Sequence, residues 1–273
     1  MGVRYTAGYA AAAEYPLNHP RILWDPVAVS AVTSSGAAAG QPADRVLTPE
    51  TSTWWESTVG GAVRTLTLDF GAAKAVDAVG VAGHNFGGDL ILVEAATNIG
   101  LTTWTALDTF TPTDDSTLLL LVSPGAYFGL RFTITVPNTA LATQVAAIYA
   151  GQALTLPVRG YGDVLPIDLG MATEVTNYRS ETGQFLGRFV EFAGLQGKFM
   201  YTHLPEQWVR QYLVPFLKRA LTKPFFIANR PQGYASEAAY AWTRGNVIPQ
   251  RMKLKDFMSV MLEVDAHAPV TLF

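Results

Sequence analysis

Cysteine is absent from this chain of 273 residues. That absence excludes a disulfide framework, thiolate metal sites and thiol nucleophiles. Charge is also scarce, since Asp, Glu, Lys and Arg make up 15% of the residues while hydrophobic residues make up 49%. Soluble domains average roughly 25% charged residues, so this composition excludes a disordered chain and a coiled coil. A low charge fraction indicates that neighbouring subunits cover part of the surface.

Long apolar runs are missing too. The longest one near the middle of the chain, Leu118–Val122, has the length of a strand rather than of a membrane-spanning helix. The run Ala10–Ala13 is too short, and its flanks are too polar, for the core of a signal peptide. We therefore predict no membrane insertion and expect the protein to fold in a cytoplasm.

Clusters of basic residues are lacking as well. Residues 1–157 hold six basic and twelve acidic side chains, a net charge of −6, and residues 158–273 hold thirteen and ten, a net charge of +3. The charges in the second half are interleaved rather than gathered into a patch. We therefore expect no nucleic-acid partner.

The first half of the chain is rich in strand patterns. Arg64–Phe70 alternates polar and apolar residues, which indicates a strand with one buried face. Turn residues separate it from further predicted strands at Val76–Ala82, Asp89–Ala95, Trp104–Leu107, Leu118–Val122, Tyr127–Val136 and Val145–Ala150. Short strands at this spacing favour an antiparallel sandwich or jelly roll over 21–157. Residues 1–20 show no clear period and are predicted to form an extended arm.

Glycine and proline are dense over 151–170, and we place a domain boundary there, near Pro157. The second domain, 158–273, mixes strands with one helix. Its strands are predicted at Thr173–Ser180, Gly187–Phe192, Lys198–Thr202, Phe225–Asn229, Ala238–Arg244, Arg251–Leu254 and Phe257–Ala266. This order predicts a β-sandwich with one α-helix packed on it.

The helix of the second domain is predicted at Pro205–Ala220. An acidic first turn and a basic last turn suit its two ends. Pro215 lies inside it and should kink or shorten it. Trp208, Tyr212 and Phe216 follow at intervals of four residues, so we expect them on the buried face of the helix.

No catalytic set stands out in the sequence. The four histidines lack the spacing of a metal site, and neither Gly-x-Ser-x-Gly nor a phosphate loop is present. Asp114 and Asp115 are neighbours in a turn, and Asp265 and His267 alternate on a strand; neither pair makes a convincing catalytic dyad. We therefore predict a non-enzymatic protein without catalytic residues, cofactor or metal site, and an esterase or glycosidase is the least favoured alternative.

Four residues remain as candidates for a carbohydrate or surface-binding site: Trp54, Trp55, His84 and Asn85. The adjacent tryptophans point to opposite faces of a strand, so one can enter the core while the other is at least partly exposed. An exposed ring would stack on a sugar, but both rings also have the option of packing inside the protein. His84 and Asn85 lie between Gly83 and Gly87, where they form either a satisfied turn or part of a binding site.

A set of motifs occurs in a recognisable order in the first half: Pro42-Ala43-Asp44-Arg45-Val46, Thr53-Trp54-Trp55, Leu66-Thr67-Leu68-Asp69-Phe70-Gly71, Val76–Asn85, Trp104, Tyr127–Phe132 and Ala146–Gly151. Over about 21–157 this set resembles the discoidin-like jelly roll (coagulation factor 5/8 type C, galactose-binding-like). The version with Gly83-His84-Asn85 and no cysteine is similar to that of tail proteins of bacteriophages and gene transfer agents. The second half is similar to the tail-tube fold of distal-tail and baseplate ring proteins, in the reverse domain order.

The resemblance implies a structural protein of a phage-type tail tip or baseplate, located in the virion and assembled in the host bacterial cytoplasm. Its C-terminal domain would form a homo-oligomeric ring, and its jelly roll would lie outside that ring. Other tail-tube, hub or fibre proteins would be its partners. The alternative is a carbohydrate-binding module that recognises glycans on the host cell surface.

Overall fold

The computed structural model describes residues 2–160, 164–253 and 256–268, and within them the protein is mainly β. The strands are, in chain order, β1 (Val3–Tyr5), β2 (Arg21–Leu23), β3 (Ala31–Ser34), β4 (Trp55–Glu56), β5 (Val63–His84), β6 (Leu90–Ala96), β7 (Trp104–Phe110), β8 (Leu118–Thr135), β9 (Gln144–Gly151), β10 (Leu154–Thr155), β11 (Met171–Arg179), β12 (Phe185–Pro205), β13 (Phe225–Ala228), β14 (Ala238–Thr243), β15 (Gln250–Arg251) and β16 (Phe257–Ala266). The helices are α1 (Ala7–Ala12), α2 (Glu206–Trp208) and α3 (Val214–Ala220). None of the described helices is long and apolar enough to cross a bilayer.

The first sheet has the strand order β4-β9-β5-β8-β6-β7, with β1 added to β8 and β3 added to β5. Its longest strand, β5, joins two of the predicted strands, and its register with β8 breaks between Asp69 and Lys74. Gly71 lies at this break with φ of +68°, a conformation that favours glycine. Alternate residues such as Leu66 and Leu68 enter the core, as their spacing predicts.

The second sheet has the order β10-β2-β13-β14-β16-β12-β11, with β15 added to β16. The helical segment 206–220 packs against it, and the ring of Phe216 meets that of Phe225 edge to face at a centroid distance of 4.9 Å. The predicted fold class is therefore confirmed: the protein is mainly β, with sandwich-type antiparallel sheets and one packed helix in its second half.

The helical segment is not a uniform α-helix. A π-turn at Val209–Leu213 separates α2 from α3. Pro215 follows at the first turn of α3, and proline lacks the N–H that an interior helical position needs. The wider turn accommodates the proline, because a single π-turn removes the clash that a regular helix would suffer. The predicted disturbance at Pro215 is thus present as a π-turn.

The N-terminal segment corrects one expectation, since residues 1–20 are not simply extended. β1 pairs in parallel with β8, and α1 follows at once. Thr6 caps this helix, because its Oγ1 accepts the backbone N–H of Tyr9 at 3.2 Å. The sequence did not predict α1, because six residues are too few to show a clear hydrophobic periodicity.

The two sheets exchange segments of chain across the predicted boundary. Both β2 and β10 lie in the part of the sequence assigned to the jelly roll, yet they pair in the second sheet. A shared cluster joins the sheets: Tyr149 of the first sheet packs edge to face on Phe226 and Tyr240 of the second, at 5.4 and 5.8 Å. Gly80 allows this approach, since a Cβ there would lie 2.5 Å from the Phe226 ring. A cut near residue 157 would therefore remove β2 and β10 from their own sheet.

Candidate functional site

The tryptophan pair is split between core and surface. Trp55 opens β4 and is fully buried in the core of the first sheet. Trp54 is half-buried, and its Nε1 donates a hydrogen bond to Glu56 Oε2 at 3.2 Å. Only Trp54 of the two presents any surface to a ligand, and its indole N–H is already used within the protein.

His84 is a buried, neutral histidine. Its ring stacks on that of Phe86 at 4.6 Å. The backbone N–H of Phe86 donates to Nδ1 at 3.3 Å, so Nε2 carries the hydrogen and donates to the carbonyl oxygen of Ser116 at 2.9 Å. Burial lowers the pKa of His84 to about 4. Its imidazole joins two loops and offers no free nitrogen to a ligand.

Asn85 completes a network that includes Trp54. Its Nδ2 donates to the Ala142 carbonyl at 2.8 Å, and its Oδ1 accepts the backbone N–H of Gln144 at 2.7 Å. The Gln144 amide in turn donates to Glu56 Oε2 at 2.9 Å, the oxygen that Trp54 also reaches. The structure therefore brings Trp54 and Asn85 to one edge, which we call the rim (Trp54, Glu56, His84, Asn85 and Gln144). Hydrogen bonds within the protein use the polar groups of the rim.

The acidic turn beyond the rim is also tied into the fold. Asp115 Oδ1 accepts the backbone N–H of Gly87 at 2.8 Å, and Asp114 Oδ1 accepts the backbone N–H of Ser116 at 3.0 Å. Within the described ranges, no group of three or more His, Cys, Asp or Glu side chains is placed to hold a metal ion.

A different place combines free aromatic and polar surface. A groove of about 780 Å³ lies where the N-terminal segment, the first sheet and the helical segment meet. The aromatic side chains that line it are Tyr9, Tyr15, Trp24, Trp208 and Tyr212. The polar ones include Glu14, Arg21, Asp25, Asp77, Gln152, Thr155 and Gln211. We call this site the groove.

The helical segment forms one wall of the groove. Trp208, Gln211, Tyr212 and Pro215 recur at the spacing of one helical face, and all four line the groove. The rings of Trp208 and Tyr212 lie 6.0 Å apart between centroids. The opposite face is buried and consists of Val209, Leu213, Phe216, Leu217 and Ala220.

The expected buried stripe of the helix is confirmed for Phe216, holds in part for Trp208, which packs against the core, and is wrong for Tyr212. Phe216 is buried, but Trp208 is half-buried and Tyr212 is 46% exposed. Residues spaced by four drift around an α-helix, and the π-turn adds one residue between Trp208 and Phe216. Both effects turn Tyr212 away from the core and towards the groove, whereas Trp208 contacts the core and also lines the groove.

The charges of the groove are unevenly satisfied. Arg21 is fully buried, and its guanidinium donates to Tyr9 Oη at 2.8 Å and to the carbonyls of His19, Tyr15 and Pro16. Asp77 Oδ1 accepts the backbone N–H of Ala153 at 2.7 Å. Burial raises the pKa of Asp77 above its usual range, which the nearby charge of Arg21 opposes.

Comparisons with known proteins gave structural matches only. No family model matches the chain, and no curated protein matches it. One matched structure is chitosan-binding module 1 of a chitosanase/glucanase from Paenibacillus sp. IK-5, with 19% identity and a TM-score of 0.43 over 47% of this chain and 99% of the module. A second is the CBM32 of AlyQ in complex with 4,5-unsaturated mannuronic acid, with 18% identity and a TM-score of 0.39 over 46% of this chain and 97% of that one.

A third match is the family 32 carbohydrate-binding module of C. perfringens NanJ in complex with galactose. It has 14% identity and a TM-score of 0.41 over 48% of this chain and 98% of that one. These structural neighbours are carbohydrate-binding modules, and none of the three is a phage tail protein. Similarities of this size assign neither a family nor a ligand to the chain.

Proposed function

We propose that this protein binds carbohydrate in the groove. The observation that carries the proposal is the pair of aromatic rings, Trp208 and Tyr212, on the wall of an open groove that also holds amide and carboxylate side chains. A sugar ring has an apolar C–H face and a rim of hydroxyls. Aromatic faces match the first, and Gln152, Gln211 and the carboxylates match the second.

The dimensions of the groove fit this function. Sites for small ligands commonly enclose roughly 300–1,000 Å³, and the groove measures about 780 Å³. The rim, by contrast, has no comparable set of free hydrogen-bonding groups, because Asn85 and Glu56 are engaged inside the protein. We therefore place the carbohydrate site in the groove and not at Trp54, Trp55, His84 and Asn85.

A matched pair of tyrosine variants tests this location. Tyr212→Ala should weaken binding of an oligosaccharide about fivefold, since an aromatic contact contributes about 1 kcal/mol. Tyr178→Ala, which removes a similarly exposed tyrosine from β11, should bind like the parent. Titration calorimetry with oligosaccharides of glucose, galactose and glucosamine is the measurement. Absence of binding to every sugar, or equal binding by both variants, would refute the proposal.

A second candidate function is self-assembly, and one feature of the second sheet favours it. β11 and β12 form a hairpin whose end exposes Tyr178, Phe185, Leu186 and Phe189, each more than half accessible. Among the described strands, β11 pairs only with β12 and is the last strand of the sheet, with a length of nine residues. An isolated two-stranded hairpin is only marginally stable in water, and a long apolar edge is prone to pair with another chain.

A second copy of this chain is the occupant that this candidate requires. A homo-oligomeric ring in a phage-type tail tip or baseplate, with tail-tube, hub or fibre neighbours, stays a prediction from the sequence resemblance. Light scattering of the full chain should give an oligomer that Phe185→Ser with Leu186→Ser reduces to a monomer. Ile99→Ser is the control, because Ile99 is equally exposed but lies in a loop of the first sheet. A monomeric parent at tens of micromolar would contradict self-assembly.

A further inference from the structure

The groove carries an excess of negative charge towards its ligand. Glu14 is exposed and has no ion-pair partner among the described residues. Asp77 Oδ1 accepts the backbone N–H of Ala153, and the charge of Arg21 acts on this carboxylate, but no basic side chain of the described residues lies within ion-pair distance of it. Asp25 is paired with Arg219 at 2.7 Å. Two carboxylates of the groove, those of Glu14 and Asp77, therefore have no ion-pair partner in the part of the chain that the structure describes.

The positive charge in the groove is not available to a ligand. Arg21 is the one basic side chain among the described residues that line it. Its guanidinium is buried and donates to one tyrosine hydroxyl and several backbone carbonyls. An anionic ligand would therefore meet carboxylates without finding a free cation, and its binding would be disfavoured.

The aromatic rings of the groove also favour a positively charged ligand. The faces of Trp and Tyr rings carry negative potential and attract cations within about 6 Å. Trp208 and Tyr212 lie together on the wall, and Trp24 lies on the same groove. A ligand that combines an apolar ring face with a positive charge gains from both the rings and the carboxylates.

We infer that the ligand of the groove is a cationic amino sugar, an oligosaccharide with free amines of the glucosamine type. The inference rests on the proposed carbohydrate function and names its substrate class. A basic peptide is the main competitor, and the groove gives its backbone little to pair with. The sheet edge that lines the groove, β10, is only two residues long, whereas strand addition depends on a row of main-chain hydrogen bonds.

The test compares oligosaccharides of equal length with the full chain. The probes are a glucosamine trimer, its N-acetylated form and a galacturonic acid trimer, with a trilysine peptide as the competing class. The glucosamine trimer should bind about tenfold more tightly than its acetylated form, because each exposed carboxylate contributes up to about fivefold. Salt should weaken this preference by screening. The galacturonic acid trimer should bind weakest.

Matched variants assign the preference to the groove. Glu14→Gln with Asp77→Asn should reduce the preference for the free amine to about twofold or less, and the asparagine keeps the acceptor for Ala153. Glu181→Gln, which neutralises an exposed glutamate in the hairpin turn, should leave it unchanged. If the glucosamine trimer and its acetylated form bound equally well, and Tyr212→Ala weakened the binding of both, this inference would be wrong. The proposed carbohydrate binding would still stand. Tighter binding of trilysine, or a preference untouched by the double variant, would also overturn it. No binding of any sugar would instead refute the proposed function.

Discussion

The rim and the groove contain similar residue types, yet they differ in how their polar groups are used. In the rim, both ends of the Asn85 amide and both nitrogens of His84 are hydrogen-bonded to the protein. In the groove, Glu14 and Asp77 line the ligand space without an ion-pair partner among the described residues. Tryptophan, histidine and asparagine near a turn therefore have a structural role when their polar groups are hydrogen-bonded within the protein. Unsatisfied polar groups beside exposed rings mark a candidate binding site.

Truncation of the buried tryptophan beside the rim should have the largest effect on stability. Trp55→Ala should lower the free energy of unfolding by about 3–5 kcal/mol, since it leaves a large cavity in the core of the first sheet. Trp54→Ala is the matched control and should cost much less, because Trp54 is only half-buried. Urea unfolding of both variants measures the difference. Equal losses would show that the two adjacent rings are not divided between core and surface.

The sequence predicted that the two adjacent rings face opposite sides of a strand, but not which of them is buried, and it predicted most of the strands. Alternation along Arg64–Phe70 marked a strand with Leu66 and Leu68 inside, because strand periodicity is a local property. The helix ending at Ala220 was predictable for the same reason. Local patterns cannot show that β2 pairs with β13, however, because that contact joins residues about 200 positions apart.

The groove could not be predicted because it is made by those distant pairings. Its lining comes from the N-terminal segment, the chain after β2, the middle of β5, the β9–β10 connection and the helical segment. Each of these segments carries an ordinary local signal. The exposure of Tyr212 depends on the π-turn, which a simple periodicity of four residues does not anticipate.

Asn85 should contribute to stability through its hydrogen bonds within the rim. Asn85→Ala removes both hydrogen bonds that tie it to the Ala142 carbonyl and the Gln144 N–H, and should cost about 2 kcal/mol of unfolding free energy. Asn246→Ala, at an exposed position, should cost little. Chemical denaturation of both variants is the measurement. If Asn85→Ala kept full stability but lost sugar binding, the rim would be the binding site after all.

The third prediction concerns pH and His84. Its pKa is about 4 in the folded protein because of burial, below the ordinary value of 6.5. Between pH 4 and 6.5 the unfolded state therefore binds more protons than the folded state. The contribution of His84 to the stability of the folded protein is fully present above pH 6.5 and is lost as the pH falls towards 4. His84→Gln should remove this pH-dependent loss of stability. The measurement is the difference between the unfolding free energies of parent and variant across this pH range.

The carboxyl group of Asp89 also titrates in this pH range, so the parent has to be compared with the variant. Burial raises the pKa of Asp89 to about 6, above its ordinary value of 3.8. The folded state then binds more protons than the unfolded state in this window, so the contribution of Asp89 to stability falls as the pH rises from about 4 to 6. The two groups oppose each other in the parent. A parent-minus-variant difference that is flat between pH 4 and 6.5 would contradict a buried, neutral His84.

The smallest expected effect on stability belongs to the groove. Tyr212 is 46% exposed, and its hydroxyl has no hydrogen-bond partner among the described residues, so Tyr212→Ala should change the unfolding free energy by no more than about 0.5 kcal/mol. The same change should weaken sugar binding, whereas Trp55→Ala should do the reverse in whatever fraction remains folded. Unfolding and calorimetric titration on the same preparations measure both quantities. A binding residue in an open groove differs from a core residue in this respect, because its ring contacts the ligand more than the protein. A large loss of stability for Tyr212→Ala would place its ring in the core and leave the groove without its aromatic wall.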